Sequence, residues 1–272
     1  MTTTTSTTDA VPRPKVSEPF LGLTAGFYLR LLSVAGLFGI WEICGLIPIS
    51  VAFPTFTETM RALIDMTVDG RMSYAYAETL KPLAVGVAIS AVFGVAIGVG
   101  MGLNYRIQWA SEPIFVVLQA APVAALIPLI TYAYGIGLTA KTVAVIILAA
   151  PIIVLNSYKA VRNASPTLIQ MCRSFQGSRL QEIWKVIVPN AAPVIFAGLR
   201  LGVAAGFIGV ILAELLITPT GIGDLISYHR SVAEYAEMYA AVFSIIVFSA
   251  VMVGLLEKAE TRFFRPEKKG SS

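Results

Sequence analysis

The chain has 272 residues, of which 56% are hydrophobic and only 13% are charged. Ordinary soluble domains carry about a quarter charged residues, so this composition and a mean hydropathy of +0.77 exclude a soluble domain and indicate an integral membrane protein. The net charge of +4 is better explained by the excess of Lys and Arg on the inner side of a membrane than by nucleic-acid binding.

The first 20 residues are rich in Thr, Ser and Pro, a composition that predicts a disordered tail. No basic stretch leads directly into a short apolar core with a small-residue cleavage site, so this segment does not resemble a signal peptide. We therefore expect the first apolar stretch to remain as an anchor.

Six stretches are long and apolar enough to cross a bilayer as helices, which needs about 20 apolar residues each. The third and fourth are separated by a short turn, so they must form an antiparallel hairpin. The six predicted spans are Leu29–Ile47, Leu83–Leu103, Ile114–Tyr134, Thr139–Tyr158, Pro193–Ile217 and Met238–Leu256. The sequence thus predicts an all-α integral membrane protein with six transmembrane helices.

The basic residues are distributed unevenly among the connections between these spans. Most of the 20 Lys and Arg residues fall in the two tails, at Arg106 and between Lys159 and Lys185. By the positive-inside rule, both termini and the segment 165–189 are cytoplasmic.

Two further patterns concern packing outside and inside the membrane. Residues 54–81 predict an extracytoplasmic amphipathic helix with a turn at Asp69-Gly70. The second and fifth spans carry small residues at spacings that allow close helix packing in lipid, although glycine is also simply common in membrane helices. These residues are Gly86, Gly94, Gly98, Gly102, Gly198, Gly202 and Gly206.

A polar interruption, residues 165–189, separates the fourth and fifth spans and contains two short amphipathic helical patterns. Ser165 with Pro166 is typical of a helix start. Ser178 with Gln181 is typical of a capping box after a Gln176-Gly177 turn. Such a pair of capped amphipathic helices, carrying Arg173, Arg179 and Lys185, predicts a surface that docks onto another protein.

Several residues inside the spans are candidates for a translocation path. Pro122, Pro128 and Pro151 interrupt the third and fourth spans, and Gln119 precedes Pro122 by about one turn. Broken helices are used by transporters at their substrate path.

Two charges lie within the fifth span. Arg200 and Glu214 fall on one face of that helix but about 21 Å apart, too far for a direct ion pair. Intramembrane charges indicate a pathway or gate; the alternative is that each lies near an interface and has a structural role. His229 is the only histidine and, without partners for metal or triad chemistry, is predicted to have a surface role.

Motifs that would support enzymatic activity are missing. The sequence contains no G-x-x-x-x-G-K-[ST] loop for phosphates and no Cys or His cluster for a metal. The two cysteines, Cys44 and Cys172, predict free thiols. A membrane protein with a docking segment but no energy source of its own needs an external partner.

Motifs spread from about Phe53 to the C-terminal tail carry a family resemblance. The sequence resembles the transmembrane subunit of a type I, binding-protein-dependent ABC importer of the nitrate/sulfonate/taurine-like branch. The motifs are Phe53-Pro54-Thr55, Thr79-Leu80-Lys81, Ala121-Pro122 through Pro128-Leu129, Tyr134-Gly135-Ile136-Gly137, Ser174-Phe175, Gly177-Ser178-Arg179-Leu180, Val188-Pro189, Ala197-Gly198-Leu199-Arg200-Leu201, Ala213-Glu214 and Gly221-Ile222-Gly223.

The resemblance implies a type I ABC importer permease fold whose cytoplasmic coupling helices rest in a cleft of a separate ATPase subunit. It implies a homodimer that works with two ATPase copies, which bind the ATP, and with an extracytoplasmic solute-binding protein; lipid surrounds it and no nucleic acid or cofactor is expected. The expected layout is a cytoplasmic tail (1–27), a permease domain (28–258) and a basic tail (259–272).

Site residues are carried over from the same resemblance. Those expected to couple to the ATPase are Arg173, Phe175, Gln176, Gly177, Ser178, Arg179 and Pro189, and those expected along the path are Gln119, Pro122, Pro128, Arg200 and Glu214. The branch implies a small anion such as a sulfonate, taurine or nitrate, or else a vitamin precursor or an aromatic acid.

The coupling segment departs from the family pattern at two places. Counting back from Pro189, the family's Glu-Ala-Ala falls on Gln170-Met171-Cys172, and its usual glycine falls on Gln176. Gly177 is expected to supply the flexible turn instead. Two other functions remain open: a membrane scaffold that docks a cytoplasmic protein without transport, and a self-sufficient secondary carrier, which would require inverted repeats.

Overall fold

A computed structural model describes residues 25–47, 50–217 and 219–264 of the chain. Most of the two predicted tails, residues 1–24 and 265–272, and Thr218 of the predicted loop lie outside the described residues. In the described parts every regular element is helical, as expected for an all-α protein. These residues form two compact units, one ending at Thr57 and the other beginning at Glu58.

The helices follow one another with short connections. They are α1 (Ala25–Leu46), α2 (Phe56–Val68), α3 (Arg71–Leu103), α4 (Tyr105–Ala120), α5 (Val123–Tyr134), α6 (Leu138–Arg162), α7 (Pro166–Ser174), α8 (Arg179–Gln181), a π-helical turn (Glu182–Ile187), α9 (Val188–Leu216), α10 (Ile222–Ser231) and α11 (Tyr235–Phe264).

Five helices of the described residues are long and apolar enough to cross a membrane, and a sixth span results if α4 and α5 are counted together. The predicted interruption of the third span at Pro122 is confirmed, because this span is a bent pair whose halves meet at 102°. The predicted interruptions at Pro128 and Pro151 are wrong, since these prolines lie inside α5 and α6. The break falls at Ala121-Pro122, where Ala121 has an extended backbone. A proline disfavours the helical conformation of the residue before it, which explains the bend.

The predicted outer helix over residues 54–81 is two elements. The turn at Asp69-Gly70 is confirmed, with Gly70 at φ +78°, but it separates α2 from α3, and α3 continues into the membrane from Arg71. The predicted start of the second span at Leu83 was too late because Pro82 lies inside the helix.

In the first unit the chain after α1 folds back onto that helix. The Trp41 indole Nε1–H donates to the Pro54 carbonyl over 3.1 Å. The Glu42 carboxylate accepts from the Thr57 amide and hydroxyl, both over 2.9 Å. A Cβ on Gly45 would lie 2.6 Å from the Thr55 Cα, so glycine permits this approach. The Phe53-Pro54-Thr55 motif thus lies directly before α2.

In the second unit α6 packs against both α3 and α9, and the glycines of those two helices face it. A Cβ on Gly98 of α3 would lie 2.5 Å from the Val154 carbonyl oxygen, and a Cβ on Gly202 of α9 would lie 2.5 Å from Ile153 Cγ1. The prediction that small residues allow close packing is confirmed, because a side chain at either glycine would separate the helices.

The turn between α10 and α11 buries the single histidine. His229 is 1% exposed and its Nδ1 lies 2.7 Å from Glu234 Oε2. The predicted surface role of His229 is therefore wrong: the last turn of α10 points the imidazole inward, and the chain returns through Ala233 at φ +59° to bring Glu234 to it.

Candidate functional site

The predicted docking segment is a helical hairpin formed by α7 and the first turns of the helix that begins at Arg179. Pro166 occupies the first turn of α7, as predicted, but the Ser165 side chain makes no capping bond. Instead the Ser165 amide donates to Asn190 Oδ1 over 3.3 Å, which ties the start of α7 to α9.

The turn that ends α7 closes with two backbone hydrogen bonds. The Gly177 amide donates to the Cys172 carbonyl over 3.0 Å and the Gln176 amide to the Arg173 carbonyl over 2.9 Å. This bonding pattern is a Schellman motif, which requires a left-handed residue between the two helices.

The left-handed residue is Gln176, with φ +57°, whereas Gly177 does not have a positive φ. The expectation that Gly177 supplies the flexible conformation is thus corrected. Gly177 is needed for a different reason: a Cβ there would lie 2.5 Å from Cys172 Sγ and 2.8 Å from the Cys172 carbonyl oxygen.

The capping box at the start of α8 is confirmed. The Ser178 amide donates to Gln181 Oε1 over 2.9 Å and the Gln181 amide donates to Ser178 Oγ over 3.4 Å. These two bonds satisfy donors that have no partner within a helix end.

The second amphipathic pattern is not a separate short helix. It begins at Arg179 and continues through the π-helical turn into α9, so that Arg179–Leu216 is one element of 38 residues. Pro189 does not end the segment but follows the π-helical turn. Because proline lacks an amide hydrogen and its ring clashes with the carbonyl four residues earlier, it explains a widened turn at this place.

Arg173 joins the two arms of the hairpin. Its Nε and Nη2 donate to Glu182 over 2.9 and 3.0 Å, a two-pronged pairing that fixes geometry as well as charge. These hydrogen bonds raise the pKa of the Arg173 guanidinium. Arg173 is among the residues expected to couple to the ATPase; in the structure its side chain holds α7 against the π-helical turn.

Large apolar side chains remain exposed on this hairpin. Phe175 is 78% exposed and Trp184 is 66% exposed, and we call this set the docking surface: Leu168, Met171, Phe175, Leu180 and Trp184. Part of this surface forms a groove of about 410 Å³, which is lined by Leu168, Met171, Cys172, Phe175, Lys185, Val186, Pro189 and Asn190. Contiguous exposed apolar residues with a polar rim mark sites of protein association.

The residues predicted along a path are dispersed. Gln119, Pro122 and Pro128 lie close to the bend between α4 and α5 and are exposed on the subunit. Arg200 forms ion pairs with Glu257 and Glu260 of α11 over 3.1 and 3.7 Å. Glu214 is buried and paired with Lys141. Arg200 and Glu214 therefore have separate partners, which favours the structural alternative for both.

Sequence reasoning missed the partners of these charges. Lys141 lies inside the fourth predicted span, and it and Glu214 lie at the same end of neighbouring antiparallel spans. Matching opposite charges by their depth across different spans would have found this pair. Among the described residues no three His, Cys, Asp or Glu side chains are grouped closely enough to hold a metal.

The profile of the family described as "Binding-protein-dependent transport system inner membrane component" matches residues 90–264. The taurine transport system permease protein TauC of Escherichia coli (strain K12) is 27% identical over 190 residues, covering 70% of this chain and 68% of that protein. The nitrate import permease protein NrtB of Leptolyngbya laminosa is 26% identical, covering 74% and 72%.

Other similarities extend the range of solutes and support the fold. The riboflavin transport system permease protein RibX of Chloroflexus aurantiacus is 32% identical, covering 58% of this chain and 61% of that protein. A chain of the MetNI methionine ABC transporter, solved in inward-facing conformations, superposes with a TM-score of 0.57 at 20% identity, covering 72% of this chain and 96% of that one. At this identity the superposition supports the fold alone.

Proposed function

We propose that this chain, which belongs to the family of inner-membrane components of binding-protein-dependent transport systems, forms the translocation path of an ATP-driven importer for a small anion. The family and the spanning helices make it a multi-pass membrane protein, and the named relatives are transport permeases. On this proposal both termini and the docking surface lie in the cytoplasm.

The docking surface is the observation that carries the proposal. It exposes Phe175 and Trp184 on a hairpin that the Schellman turn, the capping box and the Arg173–Glu182 pair hold in one shape. A preformed apolar surface lowers the entropic cost of binding a partner. Since the sequence has no phosphate-binding loop, an ATPase subunit is the partner that would complete the transporter.

A second copy of the chain would complete the path. Gln119 and the proline-broken backbone near Pro122 are exposed on the single subunit, and polar groups of this kind are costly against lipid unless they line a watery cavity or a protein interface. We infer a homodimer with the α4–α5 bends facing the path, two ATPase subunits on the cytoplasmic side and a solute-binding protein outside.

The names of the relatives guide the choice of solute. TauC and NrtB are named for taurine and nitrate, which supports a small anion. RibX is named for riboflavin, which supports a vitamin as the second candidate. A panel of taurine, an alkanesulfonate, nitrate and riboflavin, offered to the partner solute-binding protein, would separate the two classes.

A matched pair of glycine variants tests the docking claim. Gly177→Ala places a Cβ against Cys172, and strain of this kind costs about 1–3 kcal/mol, so we expect about tenfold weaker ATPase association and a parallel loss of ATP-dependent uptake in liposomes. The control is Gly254→Ala, since a Cβ there meets nothing within 4 Å.

Three results would contradict the proposal. Full ATPase association and uptake by Gly177→Ala would remove the docking claim. Uptake in liposomes that lack the ATPase would indicate a secondary carrier. ATPase association with no uptake of any solute in the panel would indicate a scaffold.

A further inference from the structure

A buried ion pair joins two spans at the end of the subunit away from the docking surface. Lys141 Nζ lies 2.9 Å from Glu214 Oε1, and the two side chains are only 3% and 0% exposed. Burying two charges costs several kcal/mol per ion, which their attraction offsets only when the remaining hydrogen-bonding groups are also satisfied. Whether the Lys141–Glu214 pair stabilises the fold therefore depends on the other hydrogen bonds that the two side chains make.

Both charges have further partners, and these lie on other elements. Glu214 also accepts from the Thr79 hydroxyl over 2.9 Å and from the Gly223 amide over 3.0 Å. Lys141 also donates to the carbonyl and the hydroxyl of Thr220, each over 2.9 Å. Thr79 Oγ1 in turn accepts from the Ile222 amide over 3.0 Å. We call Thr79, Lys141 and Glu214 the polar anchor.

The polar anchor holds the first residues of α10. The amides of Ile222 and Gly223 belong to the first turn of α10, where helix donors lack internal partners and the helix dipole favours a negative charge. Glu214 thus acts as the cap of the helix that follows its own span. The three N–H groups of Lys141 are all committed to Glu214 and Thr220, so none remains to bind a solute.

Gly221 and Gly223 allow the backbone at the start of α10 to approach Glu214 closely. Gly221 has φ +99°, and a Cβ on it would overlap the Glu214 carboxylate. A Cβ on Gly223 would lie 2.5 Å from Glu214 Cβ. The Ala213-Glu214 and Gly221-Ile222-Gly223 motifs are therefore two halves of one packing arrangement.

We propose that the polar anchor stays closed throughout the transport cycle and that Lys141 is a positioning residue, which keeps Glu214 in place to hold α10 rigidly on α3, α6 and α9. This inference rests on the proposed function. It implies that one end of each subunit moves as a single body and that access opens between subunits, not between α10 and its own subunit.

A small cavity beside the polar anchor can be used to test whether α10 moves away from its own subunit during the cycle. It measures about 310 Å³ and is lined by Glu78, Ile136, Gly137, Leu138, Lys141, Pro219 and Thr220. If α10 and its loop swung away during the cycle, this cavity would widen. If the polar anchor stays closed, the distance between the two walls of the cavity does not change.

The first experiment bridges the cavity. Ile136→Cys and Pro219→Cys are combined with Cys44→Ser and Cys172→Ala in the complete complex and joined by a short, cleavable thiol crosslinker. We expect ATP-dependent uptake within about twofold of the uncrosslinked protein, a difference well below one tenfold step in rate. Each single cysteine treated with the same reagent is the control. Uptake that disappears on crosslinking and returns on cleavage would overturn the proposal.

The second experiment needs no transport and follows the position of α10 directly. Spin labels at the exposed positions Tyr74 of α3 and Tyr228 of α10 report the distance between these helices. We expect one narrow distribution with and without ATP, a broadened one in Lys141→Met, and a narrow one again in Lys141→Met with Glu214→Gln, where no unpaired buried charge remains. A distribution as narrow in Lys141→Met as in the parent would overturn the positioning role of Lys141.

The matched control is Lys81→Met, because Lys81 pairs with Glu78 over 2.6 Å but is exposed. Exposed pairs contribute little, so its distribution and melting temperature should match the parent. Lys141→Met should melt about 10 °C lower, and an equal loss in both variants would overturn the proposal. A parent complex without any ATP-dependent uptake would contradict the proposed function, while the spin-label result would still decide on the anchor.

Discussion

Gln176 has a left-handed backbone conformation, with φ +57°, at a position of the docking hairpin where glycine is the usual residue. It is the left-handed residue of the Schellman turn, and the same geometry recurs at Ala233, where the Glu234 amide donates to the His229 carbonyl over 2.9 Å. A non-glycine residue in this conformation costs roughly 1–2 kcal/mol. Both turns therefore hold a strained residue between well-bonded helix ends.

Gln176→Gly should relieve this strain. We expect the turn to be stabilised by about 1 kcal/mol, and since the Gly177 amide closes it, hydrogen exchange at that amide should slow about fivefold. Gln181→Gly is the opposing control, because it removes half of the capping box and should speed exchange. An unchanged Gly177 rate in Gln176→Gly would show that the left-handed conformation is not the source of strain.

The side chains of the hairpin show what sequence could reveal at this scale. The capping box of Ser178 and Gln181 was predicted because its partners are three residues apart. The Arg173–Glu182 and Lys141–Glu214 pairs were not predicted, because the helical repeat indicates only which residues are neighbours within a single helix. Pairs across elements require knowledge of which helices touch and at what depth.

Among the elements, the long helix that begins at Arg179 has one irregular turn, Glu182–Ile187. Such π-helical turns occur frequently at functional sites. It contains Trp184 of the docking surface and lies between Leu180 and α9, so it sets the rotation of these two side chains relative to the membrane part of the same helix.

Pro189→Ala should restore an amide donor for the Lys185 carbonyl and let the wide turn return to α geometry. An α-helical turn holds about one residue fewer than a π-helical turn, so the change from π to α geometry rotates the docking surface by about 100° relative to α9. We expect insertion to persist while ATPase association falls roughly tenfold, equivalent to about 1.4 kcal/mol. Pro193→Ala, four residues further along α9, is the control. Equal association in both variants would contradict the proposed role of the turn.

Two carboxylates within the spans serve the same purpose in the two units. Glu42 of α1 receives the Thr57 amide at the start of α2, and Glu214 of α9 receives the Gly223 amide at the start of α10. In each case a glycine, Gly45 or Gly221, permits the approach. A charge inside a span can thus be a helix cap, which the hydropathy pattern alone does not distinguish from a pathway residue.

For the whole molecule, the sequence predicted the all-α class, the number of spans and the small-residue packing, because each depends on composition and local period. It predicted the break at Pro122, but it misplaced the start of α3 and wrongly expected breaks at Pro128 and Pro151, because Pro82, Pro128 and Pro151 are all tolerated inside helices. Helix boundaries at prolines depend on neighbouring helices, which local pattern does not contain.

The predicted orientation can be tested with single cysteines in a cysteine-free chain. We expect Tyr74→Cys and Tyr228→Cys to react with a membrane-impermeant thiol reagent in spheroplasts, because positive-inside sorting places both outside. Phe175→Cys should react only after the membrane is permeabilised. Reaction of Phe175→Cys in sealed spheroplasts would reverse the proposed topology.

The separation of Lys141 and Glu214 along the chain has a consequence for synthesis. The two residues are 73 positions apart, and ribosomes add about 5–20 residues per second. Lys141 therefore enters the membrane about 4–15 s before its counter-charge exists. A lysine costs up to about 3.5 kcal/mol at the centre of a span, but Lys141 is the fourth residue of α6, where a lysine side chain reaches the interface at lower cost. We therefore expect α6 to insert before α9 and the ion pair to form when α9 packs against it.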